Sequence, residues 1–185
     1  DWAENKLGME DIDFSITTNG ATMQPLYEGT LIGLDVFRML GYGFTADKML
    51  GNRLIKAQIS GSKVLAGLNY CLNYIIDDDE FFVQSDKLKY TYNSDLENFQ
   101  KLVEVTLNGE AIDYSRTYTF ISNEFIGFVL DYFGLMDTFE VIENSSEYST
   151  VVEYIMQNPV LNASTDNNIL NVAQGSCISE ICNQN

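Results

Sequence analysis

Short β-prone runs interspersed with short helical runs, joined by hairpin and crossover connections alike, predict an α+β domain with a mixed β-sheet. Two observations carry that prediction. Val103, Val105 and Leu107 alternate with polar residues and run into Asn108-Gly109, a pair suited to the positive φ values of a tight hairpin turn. Val64, Leu68, Cys71, Leu72 and Ile75 follow Ser62 at helical spacing, with Ser62 placed to cap the helix. No internal repeat interrupts the pattern.

Taken in order, Ile12, Phe14 and Ile16 mark a first strand that runs into Thr18-Asn19-Gly20. Such a strand end, followed by small residues, lets backbone N–H groups come close to a ligand, or makes an ordinary turn. Leu34 to Leu40 has the spacing of a short helix, Arg53 to Ser60 reads as a strand, and Asp77-Asp78-Asp79-Glu80 reads as a solvated helix end. Phe82 to Tyr92 reads as one strand with a kink near Ser85-Asp86, and residues 93–100 as a polar connector. Thr117 to Ser122 is a further strand, broken off at Asn123-Glu124. Phe125 and Asp131 follow in a stretch with no clean strand or helix period, so Phe125 reads either as core or as a ring at a ligand edge. Phe139 to Ile142 is expected as the last strand, and Ser149 as the cap of a helix through Val151, Val152, Ile155 and Met156 that stops at Asn158-Pro159. Residues 1–160 then form the domain, and the Asn- and Ser-rich residues 161–185 an appended extension.

Composition narrows the function. The chain has 185 residues, 45% of them hydrophobic, which suits one globular domain with a substantial core. No apolar run approaches the roughly 18 residues of a membrane span. With 10 Lys and Arg against 27 Asp and Glu, the net charge is −17, which argues against a nucleic-acid polymer as partner. The chain has no His, so a dinuclear metallophosphoesterase centre, normally built from His and Asp, is not expected in it. Cys71 reads as a small buried hydrophobe; Cys177 and Cys182 could close a small disulfide loop in an oxidising compartment. Opening at Asp1 without Met or an apolar leader, the chain reads as a processed or trimmed product.

Asn108-Gly109, Ile112-Asp113, Tyr118, Ser122-Asn123, Phe125, Asp131 and Phe133 keep a common spacing. So do Thr18-Asn19-Gly20, the run from Asn52 to Gly61, and the run from Phe82 to Tyr92. Together they resemble the C-terminal, substrate-binding domain of the 5′-nucleotidase and UDP-sugar hydrolase family, over roughly residues 12–160. The resemblance implies an α+β fold and recognition of a nucleoside or nucleotide in an extracytoplasmic (periplasmic, cell-surface or secreted) hydrolase of nucleotide catabolism. It also implies that two divalent metals sit on an N-terminal metallophosphatase domain, fused or separate, so that this chain alone holds no catalytic residue, metal or cofactor.

By the same resemblance, Tyr42 and Phe125 would stack on the two faces of a base, Asp131 would accept from the ribose and Asn19 would position the base. Asn52 or Phe44 would fill the family's Asn position after an insertion from Phe44 to Gly51. Gln24 stands where the family has a substrate-contacting Arg, without its charge or fork. Val129-Leu130 stand where the family has two glycines and Tyr132 where it has a third. These departures leave open a second reading, a non-catalytic binding or interaction module with the same fold, and a third, a structural domain of a larger surface protein.

Overall fold

The computed structural model describes residues 8–40, 43–44, 48–75, 77–162 and 168–173. The expected α+β architecture is what it shows, organised as two sheets. In the five-stranded sheet the order is β3 (Val83–Ser85), β1 (Phe14–Thr18), β7 (Thr117–Asn123), β2 (Leu54–Ser60) and β8 (Thr138–Val141). Only β1 and β7 are parallel there; the other neighbours are antiparallel. The four-stranded sheet runs β6 (Glu110–Ala111), β5 (Leu102–Leu107), β4 (Leu88–Tyr92) and β9 (Ile169–Asn171).

One hydrophobic core draws on both sheets. Phe14, Ile55, Ala57, Ile59, Tyr118 and Phe120 come from the first, and Leu88, Tyr90, Tyr92, Val105 and Leu107 from the second. Phe14 and Phe120 pair in register and their rings stack 5.7 Å apart, nearly parallel. Helix α2 (Gly61–Leu72) adds Val64, Leu68 and Leu72 at the predicted spacing. Helix α1 (Gly33–Leu40) packs on helix α4 (Glu147–Gln157). Helix α3 (Glu124–Tyr132) lies against β2 and β7, where Gly127 allows the closest approach. A Cβ on Gly127 would come within 2.5 Å of Ile55 Cδ1.

Several expectations are corrected by the tertiary structure. The segment from Phe82 to Tyr92 is two strands, not one kinked strand, because the chain changes sheets at the expected kink. Ser85 Oγ donates to Ser15 O and accepts from Leu88 N, while Asp86 accepts from Ser15 N, so side chains satisfy the backbone at the break. Helix α2 starts two residues early, with Ser60 rather than Ser62 as its cap residue. Its first donors go to main chain instead: Gly61 N to Arg116 O and Ser62 N to Tyr114 O. A Cβ on Gly61 would lie 2.0 Å from Asp113 O, so only glycine admits that contact.

Ser146, not Ser149, caps α4, accepting from Ser149 N. The strand β8 is not the last. Ile169–Asn171, within the polar extension, pairs in parallel with β4 as β9. The hairpin reading holds as expected: Asn108 and Gly109 have φ of 54° and 86°, and Leu107 pairs with Glu110. Residues 77–80 are solvent-exposed, as read, and Asp78 caps a short 3-10 turn over Asp79–Phe81. Cys71 is half-buried, and burial pushes its thiol up to about 11, which suits an unreactive apolar role. Cys177 and Cys182 lie outside the described residues.

Candidate functional site

The parallel pairing of β1 with β7 brings both carboxyl ends to the same rim of the sheet. Phe14 sits beside Phe120 and Ser15 beside Ile121, so the chain leaves both strands at neighbouring points. Strand β2 enters at that rim, with Leu54 opposite Asn123, and β8 leaves there, with Val141 opposite Ile55. Asn19, Asn52 and Asn123 therefore lie along the same rim, where α3 with Phe125 begins, although they are spread over more than 100 residues of sequence.

At the end of β1, Asn19 opens a 3-10 turn over Asn19–Ala21. Its backbone N–H donates to Phe82 O, and its side-chain oxygen accepts from Gln84 Nε2 at 3.0 Å. At Gly20 the turn packs closely on Glu80, since a Cβ there would meet Glu80 Cβ at 2.9 Å. Gln24 is exposed on the following loop. That loop is tied to α1 where Met23 N donates to Met39 O. Tyr42 lies outside the described residues. Nearby, Gly51 N donates to Gly43 O, and Phe44 bridges to Leu50, so the expected insertion closes on itself.

Asn52 turns inward. Its carbonyl accepts from Glu147 N at 2.9 Å, and its amide reaches Glu147 Oε2 at 3.4 Å. Here it serves the framework of the rim. Arg53 forms a two-pronged ion pair with Glu124, Nε to Oε2 at 2.9 Å, and Arg53 O accepts from Glu124 N at 2.8 Å.

The residues from Glu124 to Tyr132, read from sequence as lacking a period, form α3. Asn123 caps it, its side chain accepting from Ile126 N at 2.8 Å. The same amide donates to Glu147 Oε1 at 2.6 Å, and Asn123 is only 2% exposed. Burial pushes the Glu147 carboxyl above the usual range, opposed by the amides of Asn123 and Asn52. Phe125, one residue into the helix, is 62% exposed, so it is not a core residue.

Asp131 is exposed in the last turn of the same helix. Six helical residues separate it from Phe125, about 9 Å along the axis and about 120° around it. The expectation that both would line one gap from a shared loop does not survive this geometry. With Val129 and Leu130 in place of glycines, nothing interrupts the helix before Tyr132.

At the far end of α3, Phe133 meets Tyr70 at 5.1 Å and Tyr132 at 5.2 Å between ring centres. A groove of about 370 Å³ lies there, lined by Ala66, Asn69, Tyr70, Phe99, Phe133 and Leu135. Of the residues at family spacing it contains Phe133, and it contains none of Asn19, Gln24, Asn52, Phe125 and Asp131. Among the described residues, no group of three or more His, Cys, Asp or Glu is placed to hold a metal ion.

Sequence reasoning passed over Glu147, the Arg53–Glu124 pair and the double use of Asn123. One signal was available for the last. Asn followed by Glu is a helix start as readily as a strand end.

An α+β domain of two sheets, with polar residues gathered at one strand-end rim of the mixed sheet, is the class this geometry defines. The chain belongs to the 5′-nucleotidase family: the model of the "5'-nucleotidase, C-terminal domain" matches residues 3–133. Among solved structures, a 5′-nucleotidase precursor from Thermus thermophilus is similar at 19% identity and a TM-score of 0.77, covering 92% of this chain and 33% of that one. The NAD nucleotidase of Haemophilus influenzae is similar at 18% identity and a TM-score of 0.71, over 88% of this chain and 30% of that one. A sulfate thiohydrolase from Thermus thermophilus, solved with glycerol, has 14% identity and a TM-score of 0.69, over 92% and 30%. At these identities the likeness is one of fold. The chain spans about a third of the length of each of these structures. A comparison with curated protein sequences returned no match. No helix among the described residues is long and apolar enough to cross a membrane.

Proposed function

We propose that this chain is the nucleoside-recognition domain of a 5′-nucleotidase-type phosphohydrolase that works outside the cytoplasm, its metal-bearing catalytic domain lying outside this sequence. The observation that carries the reading is Phe125. A large aromatic ring held in solvent at a strand-end rim, on a helix turn fixed by a buried cap, has a cost that ligand stacking explains and core packing does not. Stacking on one base is worth roughly 1–3 kcal/mol and tolerates several bases. Membership of the 5′-nucleotidase family supports a nucleoside as the ligand.

In this reading the ring of Phe125 covers one face of the base, and Asn19 and Gln24 border the same rim. The rim's polar framework holds the ring in place and carries no bond-making chemistry. With a net charge of −17 and Gln24 rather than a cation, phosphate groups gain little here. Calorimetric titration of the 185-residue chain with adenosine and with AMP tests this. Comparable affinities, lost in Phe125→Ala, are expected. A large gain from the phosphate, or no binding of either, would count against it.

A second reading is favoured by α3. An unbroken helix through Val129 and Leu130 sets Asp131 well away from Phe125, which suits a module whose ligand contacts have been reduced or redirected. Adenosine binding that is insensitive to Asp131→Ala but lost in Phe125→Ala would mark such a reduced site.

A further inference from the structure

The start of α4, with the residues just before it, is tied to three other segments at the rim. Ser145 Oγ accepts from Leu54 N, Glu147 holds both Asn52 and Asn123, and Tyr148 Oη donates to Gly33 O at the start of α1. We propose that Glu147 is a positioning residue for nucleoside recognition: by holding the Asn123 amide it sets the first turn of α3, and with it the place of the Phe125 ring. The inference deepens the nucleoside reading and rests on it.

The chemistry follows from the two ends of one amide. Asn123 Oδ1 accepts from Ile126 N at 2.8 Å while its Nδ2 donates to Glu147 Oε1 at 2.6 Å. The residue is 2% exposed, so water cannot replace a lost partner. Without the carboxylate, Nδ2 becomes a buried donor with no acceptor, and the amide is free to rotate away from its capping role. A carboxylate suits the place because it accepts only, and two amides converge on it. Glutamine would keep one acceptor for Asn123 but set an NH2 group against the amide of Asn52. Phe125 lies between Asn123 and Ile126 in the chain, so a loosened cap moves the ring directly.

The test uses the full chain, with amide exchange and adenosine binding measured in parallel on Glu147→Ala, Glu147→Gln and Phe125→Ala. In Glu147→Ala, faster exchange at Ile126 by about tenfold and adenosine affinity weaker by a similar factor are expected, in line with the loss of one helix cap. The Asn123 side-chain amide signal should shift in the same variant. Glu147→Gln should recover most of both effects, since its oxygen still meets Asn123. Phe125→Ala should lose adenosine while leaving Ile126 exchange unchanged. Unaltered Ile126 exchange in Glu147→Ala would overturn the positioning role whatever happens to binding. Absence of adenosine binding by the wild type would overturn the nucleoside reading, and the exchange data would still decide whether Glu147 sets the turn.

Discussion

The two ends of α3 are built from different materials. Its first turn is held by polar groups, through the cap from Asn123, the Arg53–Glu124 ion pair and the Glu124 N to Arg53 O hydrogen bond. Its last turn is held by rings: Tyr132 on Phe133, Phe133 on Tyr70, and Phe133 and Leu135 beside Phe99, whose N–H is accepted by Asn73. Directional bonds fix an orientation to within narrow limits, whereas aromatic contacts tolerate sliding and tilting. On the proposed nucleoside reading, the polar end is where a ring is placed for a ligand. The aromatic end only has to stay attached to the domain.

Breaking the polar end should cost most. Asn123→Ala removes a cap worth about 0.5–2 kcal/mol and takes from Glu147 its closest donor, a further loss of about 1–3 kcal/mol. Urea denaturation should therefore show a loss on the order of 2–4 kcal/mol, and a loss below about 0.5 kcal/mol would mean that the cap is idle. Lifting the helix bodily comes next. Gly127→Val forces side-chain atoms into Ile55 and should cost about 1–3 kcal/mol, with α3 displaced from β2.

The aromatic end sharpens the contrast by being weakened alone. Val129→Gly should lower stability by about 1 kcal/mol, as glycine does inside a helix. Exchange should quicken at Phe133 N, which donates to Val129 O, while Ile126 N keeps its protection. Equal loss at both positions would show that α3 melts as one unit and would erase the difference between its ends.

A gentler probe of the polar end is pH. The folded state holds the Glu147 carboxyl above its usual range, chiefly through burial. A carboxyl so raised favours folding when protonated, so its contribution is full below the ordinary glutamate range and is lost as pH rises through the folded value. Glu147→Gln should therefore lose less stability than wild type between mildly acidic and neutral pH. A variant whose loss over that interval equals or exceeds the wild type's would contradict the raised value. Smallest of all should be Tyr132→Ser. That ring is 85% exposed, and a change in unfolding free energy within about ±0.5 kcal/mol, read by urea denaturation, is expected.

Where the pattern along the chain has one buried face, it was readable without a structure. Helix α2, the Asn108-Gly109 hairpin and the end of β5 with Val105 and Leu107 follow from period and turn chemistry, because burial of one face imposes that period, while β2 and β7 follow from β-prone composition. Helix α3 was hidden for the opposite reason. Phe125, Phe128, Val129 and Tyr132 on its solvent side are as apolar as Ile126 and Leu130 on its inner side, so no polar face marks it in the sequence. The split of residues 82–92 between two sheets was also out of reach, since each half has the same β-prone composition and only the partner strands differ.

For the candidate site the division is similar. The residue types at Asn19, Phe125 and Asp131 and their family spacing were legible in the chain. Their spatial relations were not. Whether Asp131 shares a face with Phe125 depends on a helix running uninterrupted between them, and whether Asn52 faces a ligand or Glu147 depends on a carboxylate 95 residues away. Local chemistry determines which conformations each segment can take. Only the tertiary structure decided which polar groups meet, because hydrogen-bond partners far apart in sequence are chosen by how the sheets and helices pack and not by any pattern within a segment.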